Sequence, residues 1–422
     1  LITVPGQPVV AEGAVAIESG RVAWVGPRAQ LPARFAERPE STYPGATILP
    51  GLIETHAHLG SYAGRIVPDT PEPARHDPAW VALSSVATAR QLASVGVTTV
   101  QSLGSRFFAD VALREAVAAG LVAGPRIVAA GPQLTTTGGH AWATGGEADS
   151  VSALRRAVRE HHKAGADVIK VMATGGFMTE RTAPWRAQFT TAELAAVVDE
   201  AHRLGTHTAA HAHGTEGIRR AVDAGIDYLA HASFIEPSGR TLFEPELADR
   251  IAAAGIYVDT CSPPSWPSVA GETITPRADE LYRRGVQLVA GHDIGAVLPP
   301  SGYTYGLKQL HASGLPIAEV LTAATSRAAA AVGLAGVTGV LAPGYAADLI
   351  VTAGDPLADL AALDHLVEIV IAGRTFVPDP VAPFDPEQLV AGDGPRPSDA
   401  RAAWLERQER RQSHLAALST QP

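Results

Sequence analysis

The stretch LPGLIETHAHLG, Leu49 to Gly60, sets two histidines, His56 and His58, two residues apart at the end of an apolar run. On a β-strand, residues i and i+2 leave the same face, so both imidazoles would enter one space. On a helix they would diverge, and a helical metal pair would take the four-residue spacing of H-E-x-x-H instead. The plainer alternative is a strand end with two solvated or internally satisfied histidines. The rest of the chain has to decide between them.

Downstream, a beat repeats. Short apolar runs at 46–58, 97–103, 126–131, 167–173, 206–213, 226–232, 256–261 and 286–293 read as eight strands. Ala-rich amphipathic stretches at 80–94, 109–119, 151–164, 191–204, 215–224 and 244–254 read as helices between them. Gly96, Gly165, Gly205, Gly225, Gly255 and Gly285 stand just ahead of most strands, where a helix ends in a left-handed cap. This alternation predicts an α/β chain folded as a (β/α)8 TIM barrel over 46–338. A doubly wound sheet would place a glycine-rich phosphate turn after the first strand, where HAH stands instead. Residues 1–45 and 339–378 carry turn-punctuated β-stretches too short to stand alone. They are expected to pair as one small flanking β-sandwich domain. The segment 379–422, Pro-rich and then charged, is expected to carry a helix.

Composition narrows the function classes. Among 422 residues, 46% are hydrophobic and 18% charged, which suits a globular enzyme with a substantial core. A net charge of −10 argues against non-specific nucleic-acid binding, which needs clustered Lys and Arg. No apolar run approaches the roughly 20 residues that span a bilayer. The single cysteine, Cys261, rules out an internal disulfide and a Cys-rich zinc site. With no secretory pattern read at the start of the chain, a reducing, cytoplasmic setting is expected.

In a barrel, catalytic groups collect where strands end at the C-terminal face. The strand ends carry His56 and His58 on the first, Lys170 on the fourth and His211 and His213 on the fifth. His231 ends the sixth and Asp293 the eighth. Left unpaired in a barrel interior, each charge would cost on the order of several kcal/mol. Divalent cations would compensate them, and imidazole with carboxylate is the donor set of Zn and similar ions. Lys170 is the odd member, since a bare ammonium is repelled by cations. The plainer reading pairs it with an acid.

Several segments together carry a family resemblance: PGLIETHAHL, GADVIKVMATGG, HTAAHAHGTEGIRRAVDAGIDYLAHAS, LVAGHDIG and GVLAPGYAADLIV. In this order the chain resembles the amidohydrolase superfamily, in particular the imidazolonepropionase-like metal-dependent amidohydrolases that include Xaa-Pro and other dipeptidases. The resemblance implies two divalent metal ions, zinc being the first expectation. His56, His58 and Asp293 would hold one, and His211 and His231 the other. Lys170, carboxylated by carbon dioxide, would bridge them. It further implies that a water shared by the metals attacks an amide or peptide C–N bond, with Asp293 moving its proton to the leaving nitrogen. The expected substrate is a small-molecule amide, a dipeptide or an N-acyl amino acid, and a homo-oligomer is the expected assembly. Two positions depart from many relatives: Glu54, where Asp is common, and His292, where Thr is common. Both are expected to point away from the site.

Loops after the strands should select the substrate. His140, in QLTTTGGHAW, is carried over from relatives as a substrate contact, and His213 is assigned to substrate because the first histidine of HAHG carries the family's metal pattern. Arg181 and Arg186 would clamp a substrate carboxylate, against the plainer reading of solvated loop arginines. Trp185 and Tyr303 would line an apolar acyl pocket. His161, His162 and His202 are expected on solvent-facing helix surfaces, while His76, His311, His365 and His414 receive no role. Cys261 is read as a packed small hydrophobe. Competing functions are a cyclic-amide or lactone hydrolase, a deaminase, and a non-catalytic metal-binding protein. Deaminases of the superfamily often use one metal and lack the fourth-strand lysine, so Lys170 favours the two-metal hydrolase. No G-x-S-x-G elbow supports a serine hydrolase.

Overall fold

A computed structural model describes residues 1–60, 77–261 and 277–386, with 266–269 and 272–274 described by backbone alone. The chain opens with a hairpin, β1 (Gly13–Glu18) and β2 (Arg21–Pro27), followed by β3 (Ala46–Pro50). The α/β repeat then begins with β4 (Leu52–Ala57), the helix Pro78–Ser94 and β5 (Val97–Ser102). The helix Ala109–Ala118 and β6 (Arg126–Ala129) follow, then two short strands, β7 (Leu134–Thr135) and β8 (Gly146–Glu147). Helices Val151–Ala164, Thr191–Arg203, Thr215–Asp223 and Pro245–Ala253 alternate with β9 (Val168–Met172), β10 (His207–Gly214), β11 (Tyr228–Ile235) and β12 (Tyr257–Asp259). A short antiparallel pair, β13 (Trp266–Val269) and β14 (Glu272–Ile274), precedes the helix Ala278–Arg283 and β15 (Gln287–Leu288). After three helices between Tyr303 and Ala331 come β16 (Leu349–Ala353), β17 (Leu366–Ile371) and β18 (Arg374–Thr375).

Two parallel sheets carry the repeat. One runs β4-β5-β6, and the other runs β15-β12-β11-β10-β9-β7-β8. Backbone hydrogen bonds join them at both sides. Thr55 N–H donates to the Ala290 carbonyl at 3.0 Å and Ile294 N–H to His56 at 3.0 Å, while Asp167 N–H reaches Ala129 at 2.7 Å. The result is TIM-barrel-like, with strand cores of Val, Ile, Leu and Ala buried beneath the amphipathic helices. Helix starts follow local chemistry. Asp77 caps Pro78–Ser94 through the Ala79 and Trp80 amides, and Thr190 with Glu193 forms a reciprocal capping box on Thr191–Arg203.

The first run departs from expectation. Instead of one strand over 46–58, Ala46–Pro50 pairs antiparallel with β16, and only Leu52–Ala57 joins β5 in the parallel sheet. Gly51 is the pivot: a Cβ there would lie 2.2 Å from Thr98 Oγ1, so only glycine lets the chain cross between sheets. Residues 46–50 therefore belong with the terminal sheet rather than with the barrel-like unit. That sheet, β18-β17-β16-β3, shares an apolar cluster with the β1–β2 hairpin, including Leu1, Val22, Leu349 and Val370 with Val15 and Val25. The last run is also shorter than expected, with β15 confined to Gln287–Leu288. Among the described residues, no helix is long and apolar enough to cross a membrane. His76, His414 and the tail beyond residue 386, with its expected helix, lie outside the described residues.

Candidate metal centre

The C-terminal ends of the parallel strands bring the seven strand-end residues singled out above into one buried cluster. His56 and His58 lie side by side, and both reach Asp293 Oδ1, at 3.6 and 3.1 Å from their Nε2 atoms. Ring tautomers follow from the partners on the other nitrogen. His58 Nδ1 donates to the Gly104 carbonyl at 3.4 Å, and His56 Nδ1 faces Asp259 Oδ2 at 3.1 Å. In the tautomer protonated at Nδ1, which the Gly104 carbonyl and Asp259 would accept from, each Nε2 is left free to ligate a cation shared with Asp293.

A second group stands across the cluster. The His211, His213 and His231 rings lie 4.2–4.6 Å apart, with His213 stacked on His231. His211 Nε2 donates to the Gly175 carbonyl at 3.1 Å, which leaves Nδ1 as its lone-pair nitrogen. The His231 ring centroid is 5.2 Å from that of His56, joining the two groups. Ligand-capable atoms of His56, His58 and Asp293 lie within 4.8 Å of one another, as do those of His211, His213 and His231.

Lys170 sits on β9 with 1% of its surface exposed, and its Nζ has no hydrogen-bond partner among the described residues. Burial pushes this amine down to about 8, against the pull of Asp259 and Asp293. Burial likewise lowers His56, His211 and His231, and holds His213 at about 3 and His140 at about 4. Burial therefore favours the neutral form of these five imidazoles, the form that ligates metals. Although burial opposes it, Asp293 is held well below the usual carboxylate range, by His56 and by His58. His231 (φ 73°), Asp293 (φ 54°) and Cys261 (φ 44°) all occupy the left-handed region that non-glycine residues rarely adopt.

Buried imidazoles, a carboxylate held in its ionised form and a buried amine with no hydrogen-bond partner among the described residues fit a divalent-metal centre. A model of the Amidohydrolase family matches residues 47–376. The chain belongs to the amidohydrolase family. An imidazolonepropionase-like composite domain of bacteria matches residues 13–37. This amidohydrolase is 28% identical over 391 residues to ochratoxinase from Aspergillus niger, covering 85% of this chain and 81% of the relative. It is 27% identical over 376 residues to imidazolonepropionase from Ralstonia nicotianae, covering 84% and 90%. Among solved structures, a Xaa-Pro dipeptidase with bound methionine aligns with TM-score 0.73 at 25% identity, covering 86% of this chain and 94% of that one. A. niger ochratoxinase aligns with TM-score 0.74 at 25% identity, covering 89% and 94%. These relationships make the amidohydrolase a hydrolase of carbon–nitrogen bonds.

The remaining residues divide. His140 is buried with its ring 4.7 Å from that of His211; Thr179 Oγ1 meets its Nδ1, and its backbone N–H donates to Gln188 Oε1. The loop after β9 closes over it at Gly176, where a Cβ would lie 2.3 Å from His140 Nε2. Arg181 and Arg186 are exposed and line a cleft of about 240 Å3 with Thr136, Thr137 and Gly138, beside that loop. A larger cavity, about 690 Å3, lies between the β1–β2 hairpin and the terminal sheet and contains none of the clustered histidines.

Tyr303 does not join the site. It is fully buried at a helix start, and its hydroxyl donates to the Ile53 carbonyl at 2.8 Å, so it anchors the fold. Its ring lies 5.3 Å from that of His292, which does point away from the cluster as expected. Glu54 also stays off the cluster: Oε1 accepts the His56 and His292 backbone N–H groups at 2.7 and 2.9 Å, tying the first and last strands together. His161 is not solvent-facing. It is buried, with its two ring nitrogens each 2.8 Å from a carbonyl, of Ala157 and of Pro132.

Cys261 is more than a packed hydrophobe: its Sγ lies 3.3 Å from His56 Nδ1 and donates to Asp259 Oδ1 at 2.6 Å. Sequence reading missed Asp259 altogether. The signal was available, since Asp259 and Cys261 stand two apart at the end of the seventh run and share a face. Phe177, whose ring meets His213 edge-on at 5.0 Å, carried no such signal because loops have no period.

Proposed function

We propose that His56, His58 and Asp293 hold one divalent cation and His211 and His231 the other, with Lys170 bridging them as a carbamate. The observation that carries this reading is the buried Lys170 amine, whose Nζ has no hydrogen-bond partner among the described residues, together with the two ligand-capable groups of the cluster. A neutral amine can add carbon dioxide, and the product is a carboxylate on a stem long enough to reach both groups. Bound there, the cations would supply Lewis-acid polarisation and a water of lowered pKa. Asp293 carries the proton chemistry: its carboxylate accepts a proton from water and delivers it to the leaving nitrogen, without which an amide is a poor leaving group. His213 and His140 line the approach to the second group and contact the substrate.

The bond cleaved is the amide or peptide bond of a dipeptide or an N-acyl amino acid. Support comes from the ochratoxinase and Xaa-Pro dipeptidase relatives and from Arg181 and Arg186, which offer two guanidinium groups to a substrate carboxylate beside the His140 loop. In the same reading, the hairpin and the terminal sheet form a flanking β-sandwich around their shared apolar cluster. The test is metal analysis after reconstitution with and without bicarbonate, followed by a screen of N-acyl amino acids and Xaa-Pro, Xaa-Arg and apolar dipeptides. Two metals per chain, bicarbonate dependence and turnover within this panel are expected. One metal per chain, or flat activity on the panel with turnover of a cyclic amide, would overturn the reading.

A further inference from the structure

Asp259 ends β12 and is wholly buried, and both of its carboxylate oxygens are engaged. Oδ2 faces His56 Nδ1 at 3.1 Å and accepts from the Tyr228 hydroxyl at 2.7 Å. Oδ1 accepts from Cys261 Sγ at 2.6 Å and from the His231 backbone N–H at 3.4 Å. The Tyr228 hydroxyl in turn lies 2.8 Å from Thr55 Oγ1. One carboxylate thus ties together the strand ends that carry His56 and His231, and a tyrosine and a threonine from two of those strands hold it in place.

We propose that Asp259 is a positioning residue for the metal centre, gripping His56 by its ring and His231 by its backbone. Each histidine belongs to a different half of the proposed ligand set, so a single acid sets the geometry of both. At His56 the contact fixes the tautomer that turns Nε2 inward. At His231 it restrains a residue whose φ of 73° a non-glycine side chain rarely tolerates. The Tyr228 and Cys261 donors leave the carboxylate little freedom to rotate away, which separates this arrangement from a buried acid merely neutralised by one neighbour.

The inference rests on reading the cluster as a two-metal centre, and the experiment separates the two. Zinc affinity and stoichiometry are measured by chelator competition on the wild type, Asp259→Asn and Tyr228→Phe, alongside melting of each metal-free protein and absorption spectra of cobalt-loaded samples. Asp259→Asn keeps size and shape, loses the charge, and is expected to weaken zinc binding about 10–100-fold for both ions. An altered cobalt spectrum should accompany this loss. Tyr228→Phe, which leaves the carboxylate but removes one donor, should weaken it a few-fold.

Unchanged zinc affinity and cobalt spectrum in Asp259→Asn, with only a lower melting temperature, would make Asp259 a structural residue and overturn the inference alone. Should Asp259→Asn fail to fold, Tyr228→Phe decides, and wild-type zinc affinity there overturns it. A wild type that binds no zinc would remove both the inference and the reading beneath it.

Discussion

Lys170 and Glu200 are both charged side chains with only 1% of their surface exposed, and their surroundings are opposite. Glu200, on the helix Thr191–Arg203, accepts from Arg159 Nε at 2.7 Å, from Arg155 Nη1 at 3.1 Å and from Arg203. Those bonds, Arg159 and Arg203 foremost, hold its carboxyl well below the usual range. Lys170 Nζ has no hydrogen-bond partner among the described residues, and burial moves it away from its charged form. A shifted ionisable group therefore does not by itself mark a functional site. Glu200 is compensated from within and fastens two helices together. Lys170 lacks any such bond among the described residues and is offset only by the charges of Asp259 and Asp293, beside side chains that fit a metal site.

The largest expected effects lie at the Lys170 end. Asp293→Asn should lower kcat/KM by about 10²–10⁴-fold, the range of a lost general acid–base group. Steady-state kinetics on protein shown to carry both metals checks this, and near-normal turnover would remove Asp293 from proton transfer. Lys170→Met and Glu200→Gln should then move stability in opposite directions. Replacing an unpartnered buried ammonium with an apolar chain of similar shape should stabilise the metal-free protein by about 1–4 kcal/mol, while metal retention and activity are lost. Glu200→Gln should lower the melting temperature and leave kcat/KM unchanged, because it strips the charge from a clamp remote from the chemistry. Chemical denaturation of metal-free samples, paired with activity assays, reads both. A destabilised Lys170→Met would mean that the amine is satisfied in the metal-free fold.

The same contrast explains what the sequence made legible. Strand alternation fixes facing, so His56, His58, Lys170, His211, His213, His231 and Asp293 could be placed on one rim from strand ends, while the choice of metal donors among them came from the family resemblance. Helix boundaries followed from caps and glycines to within a residue or two. What periodicity could not supply was tertiary register. Tyr303 looked like a loop aromatic at the mouth because nothing local shows that its hydroxyl meets the Ile53 carbonyl from a helix start. Nothing local shows, either, that the His161 ring nitrogens meet two carbonyls rather than water. Gly51 hid the crossing between two sheets inside what reads as one apolar run. Asp259 was overlooked for a different reason: the ligand pattern of relatives directs attention to metal donors and away from what orients them.

Acid should expose the buried imidazoles next. Burial lowers His140 and His292 to about 4 and His213 to about 3, all below the ordinary histidine value. Between these values and about 6.5 the unfolded chain binds more protons than the folded one, so metal-free stability rises with pH and is lost as pH falls. Each histidine contributes up to about 2 kcal/mol of loss between pH 8 and 5. Melting of metal-free protein across that range should fall steeply, and metal should flatten the curve by holding the rings neutral. A metal-free melting temperature constant from pH 8 to 5 would mean that these rings are hydrated or protonated in the folded state.

The smallest effects belong to the rim. Arg181 and Arg186 are exposed, so each acts through water-screened charge rather than through the desolvated contacts that make Lys170 and Asp293 sensitive. If they receive a substrate carboxylate, removing either should raise KM about tenfold, the worth of one hydrogen bond to a charged group, with kcat unchanged. The effect should shrink with added salt and vanish for a substrate whose carboxylate is amidated. Arg186→Ala and Arg181→Ala, each assayed on an acid and its amide at two ionic strengths, test this. Equal losses on acid and amide would show the arginines shaping the loop over His140, and wild-type values on both would return them to solvent.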